Sequence, residues 1–406
     1  MLTETAAVER VFRQEYGRLI ASLVRRFGDI DIAEDAAGEA LVVALEKWPQ
    51  SRVPPNPGGW LTTTAGNRAL DRIRRDRLRA SKHEAATMLS HNTPQEPTGP
   101  FVEPGDDRLR LIFTCCHPAL APRAQVALTL RLLGGLTVSE IAQAFLVPES
   151  TMAQRITRAK KKIAAASVPY RVPDAADLPE RLSGVLTVLL LIFNEGYLAT
   201  GDGDPVRGEL TQEAIRLARA LHHLLPEEPE ATGLLALMVL TEARCGARVR
   251  NGQLIPLADQ DRASWDRGMI AEGHDLVRWC LAINRPGRFQ ILAAINATHT
   301  DAPSAEDTDW SQVAALYDHL TRIDPSPIVA LNRAVAIAHL DGPEVALALV
   351  DRLPLTGYHA WHATRAELLR RLNRSGEAKQ AYGAAIAATR NSAERAYLRS
   401  KRGDLL

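Results

Sequence analysis

Cysteine is scarce in this chain. Cys115, Cys116, Cys245 and Cys280 are the only four in 406 residues, and none forms a CxxC spacing. That excludes a disulfide framework and points to a reducing compartment. Long apolar runs are missing too. The longest largely apolar stretch, Val185 to Phe193, is far short of the roughly 20 residues a membrane span needs. The start, MLTETAAVER, has no apolar signal core, so the expectation is a soluble cytoplasmic protein with no membrane partner. Aromatics make up 5% of the chain, and β-branched runs bounded by turn residues are rare. Cores built mainly from Leu, Ala, Val and Ile, and an all-α fold, follow. Catalytic signatures are also lacking: there is no nucleophile elbow, phosphate loop or HExxH, and Glu195 in Asn194-Glu195-Gly196-Tyr197 has no partner base. Cys115-Cys116-His117 lacks the spacing of a chelating set, so no metal and no cofactor is expected, and the chain is read as no enzyme.

What is present is uneven charge. Residues 1–172 carry 24 Lys and Arg against 18 Asp and Glu, and the remainder carries 25 against 30. A basic front on an acidic back suits nucleic-acid binding followed by a domain that need not touch phosphates. The length implies two to four domains. Helices are expected over 8–27, over 32–48 (capped by Asp29 or Asp31 and ended by Pro49), and from Trp60 after the loop SRVPPNPGG. Residues 81–105, polar and without helical period, read as a linker.

Two basic elements carry the chemistry. From Asn67 to Lys82 stand seven cations (Arg68, Arg72, Arg74, Arg75, Arg77, Arg79, Lys82) and two anions, with Leu70, Ile73 and Leu78 available to pack one side. A flexible loop ending in an aromatic, PNPGGW, precedes it, which suits a single strand with unstacked bases. The second element, TVSEIAQAFLVPESTMAQRITRAKKKIA (137–164), has the pattern of a helix-turn-helix. Thr137 and Glu140 make a capping box, Ile141, Ala142 and Phe145 a buried face, and Leu146-Val147-Pro148 the turn. Met152 and Ile156 face inward, leaving Thr151, Gln154, Arg155 and Arg158 toward base edges and phosphates, with Lys160, Lys161 and Lys162 extending that surface.

An acidic helix, a loop, NPGGWLTTTAGNRALDRIRR, a linker and a helix-turn-helix ending in RAKKKI resemble, in that order, the extracytoplasmic-function sigma factors of the sigma-70 superfamily. The resemblance implies a sigma domain 2 helical bundle (1–80), a linker (81–106) and a sigma domain 4 helix-turn-helix (107–168). It implies core RNA polymerase, through its β′ clamp helices and β flap, and promoter DNA as partners. Asp35 and Glu39 would be polar contacts to polymerase, with Ile32, Leu41 and Leu45 the packing face; the family often has Gln where Gly38 stands. The loop 51–57, with Asn56 and Trp60, would hold a flipped −10 base beside Asn67, Arg68, Asp71, Arg72 and Arg75. Ser150, Thr151, Gln154, Arg155, Arg158 and Lys161 would read the −35 element.

LIFTCCHPAL (111–120) and LLLIFNEGYLA (189–199) extend the resemblance to a subgroup with a long C-terminal extension of tetratricopeptide-like repeats. That extension, read as 169–290 and 291–406, would serve as a built-in regulator that takes a protein partner or a ligand. Ala314, Ala346 and Ala378 recur at spacings of 32, close to such a repeat; an ordinary Ala-rich helical domain would also give them. The alternative function is a one-component helix-turn-helix regulator with a helical ligand- or protein-binding domain, which leaves the acidic helix and the 51–82 element without a role.

Overall fold

The computed structural model describes residues 2–84, 104–145, 147–166, 168–197, 207–250, 253–389 and 391–405. These fold into an all-α chain in two compact units, residues 1–188 and 189–406. Among the described residues the only sheet is a two-residue antiparallel hairpin, β1 (Val249–Arg250) with β2 (Gln253–Leu254).

In the first unit α1 (Leu2–Phe27), α2 (Ile30–Ser51) and α3 (Pro57–Glu84) form a three-helix bundle. The large core residues come from α1, with Phe12, Tyr16, Leu19, Ile20 and Leu23 buried. Facing them, α2 offers an alanine stripe, Ala33, Ala36, Ala37, Ala40 and Ala44, closed by Trp48, and α3 offers Leu61, Ala65 and Ala69. Large against small lets the helices interdigitate. Asp29 caps α2 by accepting from the Asp31 and Ile32 amides at 2.7 and 3.0 Å.

Several expected boundaries and faces need correction. Pro49 does not end α2, which runs on to Ser51 with the proline inside its last turn, where a missing N–H costs only one bond. Helix α3 begins at Pro57, not Trp60; the proline occupies the first turn, where no intrahelical donor is needed. The buried face of α2 is its alanine stripe, while Ile32, Leu41 and Leu45 are only half-buried. The packed face of α3 is likewise Leu61, Ala65 and Ala69, with Leu70 and Ile73 half-buried. Helix α3 continues to Glu84; of the expected linker, 85–103 lies outside the described residues, as does Leu146.

A second bundle comprises α4 (Pro104–Cys115), α5 (Pro122–Leu132), α6 (Val138–Ala144) and α7 (Glu149–Ala165), and it packs through α4 and α5 on α1. The approach is tight. A side chain at Gly17 would put its Cβ 2.8 Å from the Leu133 carbonyl oxygen, and Gly135, at φ +71, turns the chain against the Tyr16 ring. Cys115 and Cys116 are buried here, and burial pushes the Cys116 thiol up to about 12. Among the described residues no cluster of three or more His, Cys, Asp or Glu could hold a metal, and no helix is long and apolar enough to cross a membrane. Helix α8 (Leu178–Tyr197) spans the division between the units.

In the second unit α10 (Pro229–Glu242) is buried along nearly its whole length among α9 (Gly208–Leu224), α12 (Arg267–Ile283) and α13 (Arg288–Asp301), with the short α11 (Cys245–Arg248) leading into the hairpin. Glu230 on α10 accepts from the Phe289 and Gln290 amides, capping α13 from outside its own chain segment. Then α14 (Trp310–Ile323), α15 (Pro327–Leu340), α16 (Pro343–Val350), α17 (His359–Arg371), α18 (Ser375–Ala388) and α19 (Ser392–Gly403) each pack on the next. Helix α19 returns against β2. Ala314, Ala346 and Ala378 are buried in α14, α16 and α18, where a small residue lets neighbouring helices approach.

Two glycines test this packing. Gly17→Val is expected to destabilise the chain by about 1–3 kcal/mol, since the carbonyl it meets belongs to backbone. Gly38→Ala, with open space around the new methyl, is expected to be neutral or to stabilise by up to about 1 kcal/mol. Urea unfolding of both variants checks the contrast.

Candidate nucleic-acid and polymerase interface

Helix α7 sorts its side chains cleanly. Met152, Ile156, Ala159 and Ile163 are buried, while Ser150, Thr151, Gln154, Arg158 and Lys161 are exposed and Arg155 is half-buried. The exposed positions recur every three or four residues and so form one face. Pro148 stands at its N-cap, and α6 ahead of it is fixed by the capping box: the Glu140 amide donates to Thr137 Oγ1 at 3.1 Å, and Glu140 Oε2 accepts from the Thr137 amide at 2.7 Å. Arg13 of α1 reaches the same carboxylate at 2.8 Å. Burial opposes ionisation of Glu140, but the Thr137 hydrogen bonds and Arg13 outweigh it and hold the carboxyl below its ordinary range. Of the expected buried face of α6, Ile141 and Ala142 are buried and Phe145 is half-buried.

On α3, Asn67, Arg68, Asp71 and Arg75 are exposed and Arg72 is half-buried; the side chains of residues 76–84 lie outside the described ones. Asn56 caps this helix, accepting from the Gly59 amide at 2.9 Å. Trp60 is half-buried, its ring packed edge-on to Trp48 with centroids 5.3 Å apart. The expected loop residues are therefore partly structural: one starts α3 and the other joins it to α2.

The structure brings together two sets that the sequence kept apart. Asp35, on the expected polymerase helix, pairs with Arg72, and Glu39 lies 3.8 Å from Arg68. Leu41 and Leu45 stay half-exposed beside Val42, which is 55% exposed.

Sequence reasoning missed Glu34 altogether. It is 9% exposed, between the two bundles. Arg131 Nε of α5 donates to its Oε1 at 2.6 Å, and the Lys160 ammonium of α7 pairs with Oε2 and, at 2.7 Å, with Asp31. Burial opposes the charge on Lys160, yet Asp31 and Glu34 raise its titration above the ordinary lysine range. Lys160 therefore does not belong to the outward basic surface, unlike Lys161 and Lys162. Its helical phase beside Ile156, Ala159 and Ile163 is the one sequence signal that could have shown this. A second tie lies nearby: Tyr170 Oη is 2.8 Å from the Ala21 carbonyl and 3.1 Å from that of Asp107, and Arg25 pairs with Asp107 at 3.1 Å.

Residues 11–79 match the sigma-70 region 2 family, and residues 110–163 match sigma-70 region 4. An uncharacterized protein of Rhizobium meliloti (strain 1021) is 41% identical over 404 residues, spanning 98% of this chain and 96% of its own. The chain belongs to the sigma-70 family. As a sigma factor it binds core RNA polymerase and promoter DNA. Residues 181–281 match a family of unknown function (DUF6596), and no solved structure matches the chain.

Two outcomes follow for this sigma factor. Glu34→Gln leaves Arg131 and Lys160 short of a buried counter-charge, an expected loss of about 3 kcal/mol, read as lost hydrogen-exchange protection in α5 and α7. Glu140 titrates below its ordinary value, so the brace it gives α6 is complete above the ordinary glutamate range and is lost as pH falls through the depressed value. Hydrogen exchange of α6 across pH 6 to 3 checks the sign, with Glu140→Gln flattening the profile.

Proposed function

We propose that this sigma factor is of the extracytoplasmic-function type, directs promoter-specific initiation in the cytoplasm, and carries its regulator in its own C-terminal half. The observation that carries the promoter assignment is the α7 face. Its polar and basic side chains lie opposite a fully buried stripe, behind a capped α6, in the geometry a major groove accepts. In this reading domain 4 spans 107–168 and reads the −35 duplex through Ser150, Thr151, Gln154, Arg155, Arg158 and Lys161. Domain 2 spans 1–80 and holds melted −10 bases with Asn56, Trp60, Asn67, Arg68, Asp71, Arg72 and Arg75. Asp35, Glu39, Leu41 and Leu45 dock on polymerase.

The regulator comprises a helical domain over 169–290 and tetratricopeptide-like repeats over 291–406. Serial packing of α14 to α19 and the buried alanines at a 32-residue spacing support the repeat reading. Nucleotide addition belongs to the polymerase, so this chain needs no chemistry of its own. Its work is positional.

In vitro transcription with core polymerase, comparing the full chain with a truncation after Ala166, tests both parts. Failure of both on promoters upstream of the chain's own operon sinks the initiation reading, and equal activity of both sinks the regulator. Within the full chain Gln154→Ala is expected to cost about 1–3 kcal/mol and relax one −35 position. Lys161→Ala should instead weaken all sequences alike and lower the log–log salt slope by about 1. Footprinting across a salt series separates them.

A further inference from the structure

Helices α14, α15, α17, α18 and α19 leave a partly open pocket between them. A cavity of about 600 Å³ lies between them and the segment after β2, within the size range of small-molecule sites. One wall is aromatic. Trp310 and His339 stack face to face at 3.8 Å with their planes 1° apart, and His299 meets the Trp310 ring edge-on at 5.4 Å. Tyr317, Tyr382 and Tyr397 complete that lining. Burial, with Arg244 and Arg262 nearby, lowers His299 to about 4, so it is a neutral ring near pH 7.

The charged groups are not equivalent. Glu367 is already satisfied, accepting from Arg370 at 2.9 and 2.6 Å and lying 3.1 Å from the Tyr382 hydroxyl. Arg262 is committed to the carbonyls of His299 and Ala302 at 2.5 and 2.7 Å. Lys401 is different. Its ammonium stands 5.6 Å from the Tyr397 ring centre and helps hold Glu367 ionised from a distance, without forming a direct ion pair among the described residues.

Thr308 also lines the cavity. It is 5% exposed, and its hydroxyl has no hydrogen-bond partner among the described residues. A buried hydroxyl left unpaired is a net cost to the free protein. A ligand atom that accepted its hydrogen bond would remove that cost.

We propose that this cavity is a binding site for a small organic anion with an aromatic body, its ring against Trp310 and His339 and its anionic group drawn by Lys401 and Thr308. Such a ligand matches an aromatic lining, a cation without a direct ion-pair partner and an unmet donor at once. The inference concerns binding by the second unit alone and stands apart from promoter recognition.

The probe is 1-anilinonaphthalene-8-sulfonate, titrated against the full chain at neutral pH without polymerase or DNA. One saturable site with a Kd on the order of ten micromolar is expected from its size. Benzoate should displace it, and benzylamine should not. Lys401→Glu should weaken binding about tenfold. Thr308→Val should also weaken it severalfold, yet raise the melting temperature of the free protein by removing the unpaired hydroxyl. That opposite movement of affinity and stability is not expected of a packing residue, and it holds even where Lys401→Glu fails to fold. Affinity unchanged in Thr308→Val, displacement by benzylamine equal to that by benzoate, or binding that never saturates would overturn the proposal.

Discussion

The buried carboxylate of Glu34 governs how the first unit is put together. An ionised carboxylate taken out of water costs several kcal/mol unless cations and donors replace its hydration. Here Arg131 comes from one helix of the second bundle and Lys160 from another, so the charge on α2 is neutralised only when both helices sit at the right height. Apolar packing between bundles tolerates small slips; a carboxylate between two cations does not. The neighbouring contacts obey that register. Leu133 can lie against Gly17 because no side chain intervenes, and Tyr170 reaches the Ala21 carbonyl from beyond α7. The two DNA-binding bundles thus meet through a specific electrostatic key set in a close van der Waals contact.

The ion pairs on the outer side of α2 belong to a different class. Asp35, Glu39, Arg68 and Arg72 are 42–49% exposed in their side chains, and exposed pairs contribute about 0–1 kcal/mol. They exchange partners cheaply. Burial makes the difference: the inner key at Glu34 is costly to break, the outer pairs are not.

What the sequence made legible is what local physics decides. The capping box of Thr137 and Glu140, Pro148 at the entry to α7, and the inward Met152 and Ile156 all follow from spacings within one or two turns, and each is present. The repeated alanines of the second unit were visible for the same reason. Pro49 misled because a proline tells where hydrogen bonds are lost, not whether the helix can bear the loss. On α2 the large side chains of α1 demand small partners, so the alanines are buried and Leu41 and Leu45 stay half-exposed, which leucine alone does not announce. Glu34 and Lys160 were out of reach, since 126 positions of chain separate them and neither breaks its local pattern. Even the order of motifs, which carried the family resemblance, held no sign that the two DNA-binding bundles would close on each other.

The second unit shows the same logic turned inside out. Its helices can pack closely, as Ala366, Leu369, Ala381 and Ala385 do in the core of α17 and α18. Yet along its inner side the array lines a cavity of about 600 Å³ with Tyr, His and Trp and leaves Thr308 unpaired. Filling that space with leucine and valine would be the more stable solution, because dispersion and hydration both favour it. Polar aromatics set around a pocket instead hold their shape without collapsing into it, since the Trp310–His339 stack, His299 edge-on to it, and the Glu367–Arg370–Tyr382 bonds brace the wall from within. A pocket so braced gives up stability for a surface of defined shape.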